Sequence, residues 1–124
     1  MDNFEHDKLT EKIIGCCYEV HSSSGPGFIE KIYAKALHHQ FIIENLSFVD
    51  EKEFNVLFKE QFIGKFRCDL FVENPVIVEL KSVTGHIPAL FKSQLLSYLK
   101  ANKVKTGLSI NFGNSSCEVK RISF

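Results

Sequence analysis

A chain of 124 residues is long enough to bury a hydrophobic core and is most simply one domain, spanning residues 1–124. Its apolar share of 44% and its 12 Phe residues exclude an intrinsically disordered chain, which lacks the apolar surface needed for a core. The net charge of zero at pH 7 excludes a general positive field, although a local basic rim would still suffice to contact phosphate groups.

Cysteine usage and the absence of targeting signals bear on the compartment. The cysteines at positions 16, 17, 68 and 117 form no CxxC pair and show no metal-ligand spacing with His. No export signal and no apolar run long enough for a membrane span is visible. We therefore expect reduced thiols, a cytoplasmic location and no membrane contact.

Apolar residues at helical spacing predict two helices in the first third of the chain. The first is expected over about residues 7–21, and the second from the Gly-Pro-Gly breaker at 25–27 to about Glu44. Glu30 lies in the first turn of the second helix, at the edge of its inward-facing stripe. From spacing alone, the simplest interpretation is an exposed glutamate that the helix dipole favours.

Alternating apolar residues predict three sequential antiparallel strands in the middle of the chain. The first covers residues 54–58, the second carries Asp69, and the third covers residues 76–81. Turn-forming residues at 59–61 and 73–75 join these strands into a meander.

The rest of the chain is predicted to form a helix and two strands. The helix is expected over about residues 86–101 and the strands over 106–112 and 117–124, which gives the order α-α-β-β-β-α-β-β. Because a strand–helix–strand crossover joins parallel strands, the strand at 106–112 should run parallel to one strand of the meander. The predicted fold class is α/β, with a mixed central β-sheet flanked by helices.

Three charged side chains are expected on one face of the last two meander strands. Because side chains alternate along a strand, Glu79 and Lys81 share a face, and Asp69 on the neighbouring strand aligns with them. The same alternation is expected to place Cys68 and Leu70 together on the core face.

Two interpretations of this charged face remain open from the residues alone. In the first, Asp69 and Glu79 are ligands of Mg²⁺ or Mn²⁺, with Lys81 orienting or deprotonating a water for phosphodiester hydrolysis. Alternatively the charges form solvated ion pairs, Glu79 with Lys81 and Asp69 with Arg67 or Arg121.

Several motifs together resemble one nuclease superfamily. Asp69 followed by Glu79-Leu80-Lys81 resembles the signature of the PD-(D/E)xK nucleases, which have a restriction-endonuclease-like core. Residues 27–33, Gly-Phe-Ile-Glu-Lys-Ile-Tyr, resemble the GxxExxY motif that names a small bacterial and archaeal family of that superfamily. Other segments that resemble this family are 13–15, 19–21, 25–27, 36–37, 94–99, 111–113 and 120–122, so that the resemblance covers about residues 9–124.

The resemblance implies a role for each matching residue. The implied catalytic set is Asp69, Glu79, Lys81 and Glu30. Its three carboxylates would bind metal. The resemblance therefore implies that Glu30 lies in the site, in contrast to the interpretation as an exposed glutamate from spacing alone. Gln94 and Tyr98, four residues apart on the third predicted helix, would line the site as substrate-positioning residues.

The activity that the resemblance implies is that of a nuclease, and the resemblance does not specify the substrate. Our leading hypothesis is a nuclease that uses Mg²⁺ or Mn²⁺ and hydrolyses nucleic acid, with DNA expected in preference to RNA. Basic residues available for phosphate contacts are Lys65, Arg67, Lys92, Lys100, Lys103 and Lys105. A homodimer would let two small domains address both strands of a duplex. The alternative, motivated by the neutral charge and small size, is a non-catalytic nucleic-acid-binding or protein-interaction module that retains the fold.

His21 has two interpretations. It ends the first predicted helix, close to Glu30 through the loop, where it would bind phosphate or act as an acid. A histidine in the last turn is also favoured by the helix dipole, and we prefer this structural interpretation.

Overall fold

The computed structural model describes residues 2–124, in which three helices and seven strands are found. The helices are α1 (Asn3–Ser24), α2 (Glu30–Ile43) and α3 (Ala89–Asn102), and no helix of this described part has the length and apolar content to cross a membrane. The strands are β1 (Phe48–Asp50), β2 (Glu53–Phe58), β3 (Gln61–Arg67), β4 (Leu70–Val72), β5 (Val76–Lys81), β6 (Thr106–Asn111) and β7 (Glu118–Ser123). The order agrees with the predicted one, with a strand added before the meander and one predicted strand divided in two.

Helix α1 extends beyond the predicted span of 7–21 because both of its ends are capped. The Asp2 side chain accepts a hydrogen bond from the Glu5 N–H (2.8 Å), which satisfies one free donor of the first turn. At the other end Gly25 has a φ of 69°, which Gly adopts without steric cost, and its N–H donates to the His21 carbonyl.

A five-stranded sheet in the order β1-β4-β5-β6-β7 forms the centre of the molecule. Strands β5 and β6 are parallel, with Val76 opposite Thr106 and Lys81 opposite Asn111, and the other pairs are antiparallel. Helix α3 provides the crossover between the parallel strands. The mixed sheet confirms the predicted α/β fold class and the expected parallel pairing.

The prediction of one continuous strand around Asp69 is wrong, because residues 68 and 69 interrupt it between β3 and β4. Strands β2 and β3 form a separate hairpin that turns at the predicted segment 59–61. At the break, the Cys68 N–H donates to the Lys52 carbonyl (3.0 Å) instead of continuing the central sheet. Alternation is therefore interrupted, and Cys68 lies in a different hydrophobic cluster from Leu70 rather than on the same face.

Hydrophobic clusters cover both faces of the central sheet. The larger cluster packs α1 and α2 against one face, and the smaller one lies beneath α3 and the hairpin. Phe66 of β3 stacks on Tyr98 of α3 with ring centroids 4.0 Å apart, which ties the hairpin to the helix. Because both faces are covered, β5 is largely apolar and its few charged side chains lie at one end.

The buried side chain of Asn111, at the end of β6, holds the segment that follows β5. Its Oδ1 atom accepts hydrogen bonds from the Val83 and Gly113 N–H groups (both 3.0 Å). Its Nδ2 atom donates to the carbonyls of Val83 and Gly85 (both 3.0 Å). One amide thus fixes the course of the chain directly after the charged end of β5.

We expect Gly113→Ala to destabilise the fold. A methyl group at this position would overlap with the Val83 backbone, which the Asn111 hydrogen bonds prevent from moving away. The expected loss in the free energy of unfolding is about 1–3 kcal/mol, as for other overpacked sites, and urea denaturation would measure it.

The control for this substitution is Gly15→Ala in α1. Apart from the chain neighbours and the nearby backbone of α1 itself, no atom lies within 4 Å of the added methyl group there, and Ala stabilises a helix interior by about 0.5–1 kcal/mol relative to Gly. Equal losses of stability in the two variants would contradict the proposed close contact at Gly113.

Candidate active site

The carboxylates of Asp69 and Glu79 lie close together where the interruption before β4 lies beside strand β5. The Asp69 Oδ2 atom accepts a hydrogen bond from the Leu80 N–H (2.7 Å), and the Glu79 Oε1 atom accepts one from the Asp69 N–H (3.0 Å). Because β4 begins only at Leu70, the Asp69 side chain takes the place of the backbone that would have continued the ladder. The two carboxylates therefore come together at this interruption. They accept hydrogen bonds from backbone N–H groups that the strand pairing leaves free.

Burial raises the pKa of both carboxyl groups. Desolvation and the nearby charge of Asp69 raise the pKa of Glu79 to about 7, although the Asp69 N–H and Lys81 act in the opposite direction. Desolvation likewise raises the pKa of Asp69 above its ordinary value, against the lowering effects of the Leu80 N–H and Lys81. A cation bound to the pair would favour both charged forms.

Lys81 lies near both carboxylates without forming an ion pair with either. Its charge lowers the pKa of each. The ion pairs in the described part of the chain are His38–Asp50, Lys65–Glu53, His86–Glu118 and Arg121–Asp7. The ion-pair interpretation of this face is therefore wrong, since Arg121 binds Asp7 of α1 (2.8 Å) and not Asp69.

Glu30 is the first residue of α2, and Tyr33 holds the loop that presents it. The buried Tyr33 hydroxyl donates to the Gly25 carbonyl and accepts a hydrogen bond from the Phe28 N–H (3.3 Å). The Ser82 hydroxyl donates to the Phe28 carbonyl (2.7 Å), which joins this loop to the segment after β5. A tyrosine three residues after the glutamate thus anchors the loop before it.

The predicted site residues line two recesses. Glu30 and Asp69 line an open recess of about 320 Å³. The residues that line a second recess of about 40 Å³ are Glu79, Lys81, Gln94, Tyr98, Phe66, Phe91, Leu95 and Ser109. The hydrogen bond between the Asp69 N–H and Glu79 links the two recesses, which together are lined by all six predicted residues.

The open recess is also lined by residues that the sequence did not indicate, namely Lys31, Lys35, His38, Asp50 and Glu51. Lys31, Lys35 and His38 lie on α2 at successive spacings of four and three residues, so helical periodicity was a signal that they share one face. Asp50 and Glu51 lie at and after β1, a strand that the sequence did not predict, and no local pattern indicates that they approach α2.

His21 and Cys68 have structural roles. The His21 ring is buried, its Nε2 atom lies 2.8 Å from the Asn114 carbonyl oxygen, and the ring stacks on Phe112 with centroids 6.1 Å apart. These contacts confirm the structural interpretation of His21. Burial raises the pKa of the Cys68 thiol to about 12, so this side chain is inert, as predicted.

Asp69 and Glu79 together fit a hard divalent cation. Mg²⁺ and Mn²⁺ prefer oxygen ligands. Because Mg²⁺ retains several of its waters, two carboxylates are enough protein ligands to bind it. Across residues 2–124, no three His, Cys, Asp or Glu side chains converge into one metal-binding cluster. Two of the three predicted ligands are therefore adjacent, and Glu30 does not form such a cluster with them, although it lines the open recess together with Asp69.

A mixed sheet with an aspartate at a strand break and a Glu-x-Lys sequence on the next strand defines a nuclease-like α/β protein. The sequence matches the PD-(D/E)XK nuclease superfamily over residues 7–122, and the chain belongs to this superfamily. Among solved structures, the crystal structure of SSO0001 resembles this chain with a TM-score of 0.58 at 20% identity, over 76% of this chain and 50% of that one. The chain thus spans half the length of SSO0001, and at this identity the likeness concerns the fold alone. No curated protein matches the sequence.

The raised pKa of Glu79 leads to a prediction about stability. With a pKa of about 7 instead of the ordinary 4.5, folded Glu79 keeps a proton that the unfolded chain loses between these pH values, so folding weakens as the pH rises through this window. We expect Glu79→Gln to be more stable than the wild type at about pH 8 by an amount on the order of 2 kcal/mol, and similar to it near pH 4. Urea unfolding in the presence of chelator at both pH values measures the difference.

Glu60→Gln, in the exposed turn between β2 and β3, is the control, because it removes a carboxylate that lies outside the Asp69–Glu79 pair. If Glu79→Gln gained no stability between pH 4 and pH 8 relative to the wild type, the assigned burial of this carboxyl group would be wrong.

Proposed function

We propose that this protein is a metal-dependent nuclease that hydrolyses phosphodiester bonds of nucleic acid. The observation that carries the proposal is the hydrogen-bonded arrangement of Asp69 and Glu79, two carboxyl groups with raised pKa values beside a lysine. A buried pair of this kind is costly for folding, and such costs are common at functional sites. Membership of the PD-(D/E)XK nuclease superfamily supports the same chemistry.

Asp69 and Glu79 would hold Mg²⁺ or Mn²⁺. When bound, the ion polarises a phosphate oxygen and lowers the pKa of a bound water. The protein contributes a site with two desolvated carboxylates whose mutual repulsion the cation relieves. It also keeps them in place, because each accepts a backbone N–H bond from the opposite segment.

The other predicted residues have complementary roles in this proposal. The charged Lys81 orients the attacking water and donates to the phosphate. Glu30, whose charge already acts on Asp69, attracts the hydrated ion from the wall of the open recess that it lines with Asp69. Gln94 and Tyr98 position the substrate from α3, where they line the recess that contains Lys81.

The substrate in this proposal is DNA in preference to RNA. Lys31 and Lys35, on the wall of the open recess, add to the basic side chains available for phosphate contacts. The arrangement of Glu30 and Tyr33 supports assignment to the GxxExxY family, because Tyr33 anchors the loop before α2 and Glu30 lines the open recess. A cytoplasmic location and a homodimer belong to the same proposal.

Cleavage should depend on both a divalent cation and Lys81. We expect labelled single- or double-stranded DNA to be cut in the presence of Mg²⁺ or Mn²⁺ and to remain intact with chelator. Lys81→Met and Asp69→Asn should each lower the rate by roughly 100-fold or more, because each removes a group that acts on the reacting atoms. Gel analysis of the products, with RNA assayed in parallel, measures the effect.

Lys12→Met, on the exposed surface of α1, is the matched control for Lys81→Met. Cleavage that persists with chelator, or that Lys81→Met leaves unchanged, would contradict the proposal. Binding of DNA without cleavage by any cation would instead support the non-catalytic module.

Cation binding has a readout that is independent of cleavage. We expect Mg²⁺ to raise the Tm of the wild type at pH 8, because an ion that binds only the folded state stabilises it. Asp69→Asn should lose this rise, and Glu30→Gln should retain part of it, because Glu30 does not form a cluster with the two other carboxylates in the described chain. Glu11→Gln, exposed on α1, should behave as the wild type. A rise of equal size in Asp69→Asn would exclude Asp69 as a ligand.

A further inference from the structure

The ammonium group of Lys81 lies over an aromatic ring. Its Nζ atom is 4.4 Å from the centroid of the Phe91 ring. The other four contacts of this type within residues 2–124 are longer, at 5.4–5.8 Å. Phe91 is thus the close contact of a lysine that makes no ion pair in the described chain.

The position of Phe91 follows from the start of α3. Pro88 precedes the helix, and its carbonyl accepts a hydrogen bond from the Phe91 N–H (3.0 Å), which places Phe91 in the first turn. Phe91, Gln94 and Tyr98 then follow at spacings of three and four residues and form one stripe of the helix. This stripe lines the same recess as Lys81.

An aromatic ring holds an ammonium group differently from a carboxylate. The negative face of the ring attracts the charge without serving as a strong acceptor for the individual N–H bonds. A carboxylate partner would accept one or two of the three N–H donors and would partly neutralise the charge. Lys81 therefore keeps its donors and its charge for a water or phosphate, while the ring restricts its flexible side chain.

We infer that Phe91 is a positioning residue that holds the Lys81 ammonium in its working place by a cation–π contact. The inference rests on the proposed nuclease function and deepens it, since it assigns the group that orients Lys81. It predicts that kcat depends more on the aromatic character of residue 91 than on the size of its side chain.

Steady-state cleavage of labelled DNA with Mg²⁺ tests this role. Phe91→Leu keeps an apolar side chain but loses the ring face, and kcat should fall by roughly 2- to 30-fold, the range that the loss of a cation–π contact would give. KM and the Mg²⁺ concentration for half-maximal rate should change little. Phe91→Tyr keeps the ring and should restore kcat to near the wild-type value.

The control is Phe4→Leu at the start of α1, where the Lys8 ammonium lies 5.7 Å from the Phe4 ring centroid. This variant undergoes the same substitution and loses the same kind of contact at a position outside both recesses. Its kcat should equal that of the wild type.

A spectroscopic readout separates this inference from the proposed function. The face of a ring shifts nearby protons upfield, so the ε-CH₂ signal of Lys81, assigned by its loss in Lys81→Arg, should lie upfield in lysine-labelled protein. The signal should move downfield in Phe91→Leu and keep its place in Phe91→Tyr.

An unchanged Lys81 signal in Phe91→Leu, or a moved signal with an unchanged kcat, would overturn the role of Phe91. A fall in kcat that Phe91→Tyr does not restore would also overturn it, because it would indicate a packing role. If the wild type cuts no nucleic acid with any cation, the proposed function fails, and the role of Phe91 in catalysis fails with it. The Lys81 signal would then decide only whether the ring holds the lysine.

Discussion

The reciprocal hydrogen bonds between the Asp69 and Glu79 segments are the interaction on which the site depends. Each carboxylate accepts a backbone N–H from the opposite segment, Asp69 from Leu80 and Glu79 from Asp69 itself. The exchange satisfies the backbone at a broken strand, and it also brings together two carboxyl groups that repel one another. The same two hydrogen bonds therefore satisfy the backbone at the interrupted strand and hold the two carboxyl groups close enough to repel one another.

Further contacts hold the surrounding segments around this pair. The Asn111 amide fixes the chain after β5, and the Tyr33 hydroxyl anchors the loop before Glu30. The Ser82 hydroxyl joins these two segments through the Phe28 carbonyl. Because all of these contacts involve backbone groups, the positions of the charged side chains depend on loops that the fold makes rigid.

Local patterns predicted much of this molecule because they report on short-range physics. Alternation placed Glu79 and Lys81 on one face of β5, and helical spacing placed Gln94 and Tyr98 on one stripe of α3, and both are observed. Alternation failed at Cys68, because the strand leaves the sheet there and the Cys68 N–H turns to Lys52. The structure also contains β1, whose three residues are too few to show a period.

The sequence by itself determined the α/β class, the parallel crossover, and the residues whose motifs place the chain among PD-(D/E)XK nucleases, since each depends on periodicity or on residue identity at short spacing. Only the tertiary structure decided how these residues meet. It placed Asp69 on the Leu80 N–H, left Glu30 outside a cluster with the two other carboxylates, and set the Phe91 ring under Lys81. These contacts join residues from separate elements. The physical reason is that backbone pairing at the interrupted strand sets the Asp69–Glu79 arrangement, and the start of α3 sets the place of Phe91, so no local pattern gives their distances.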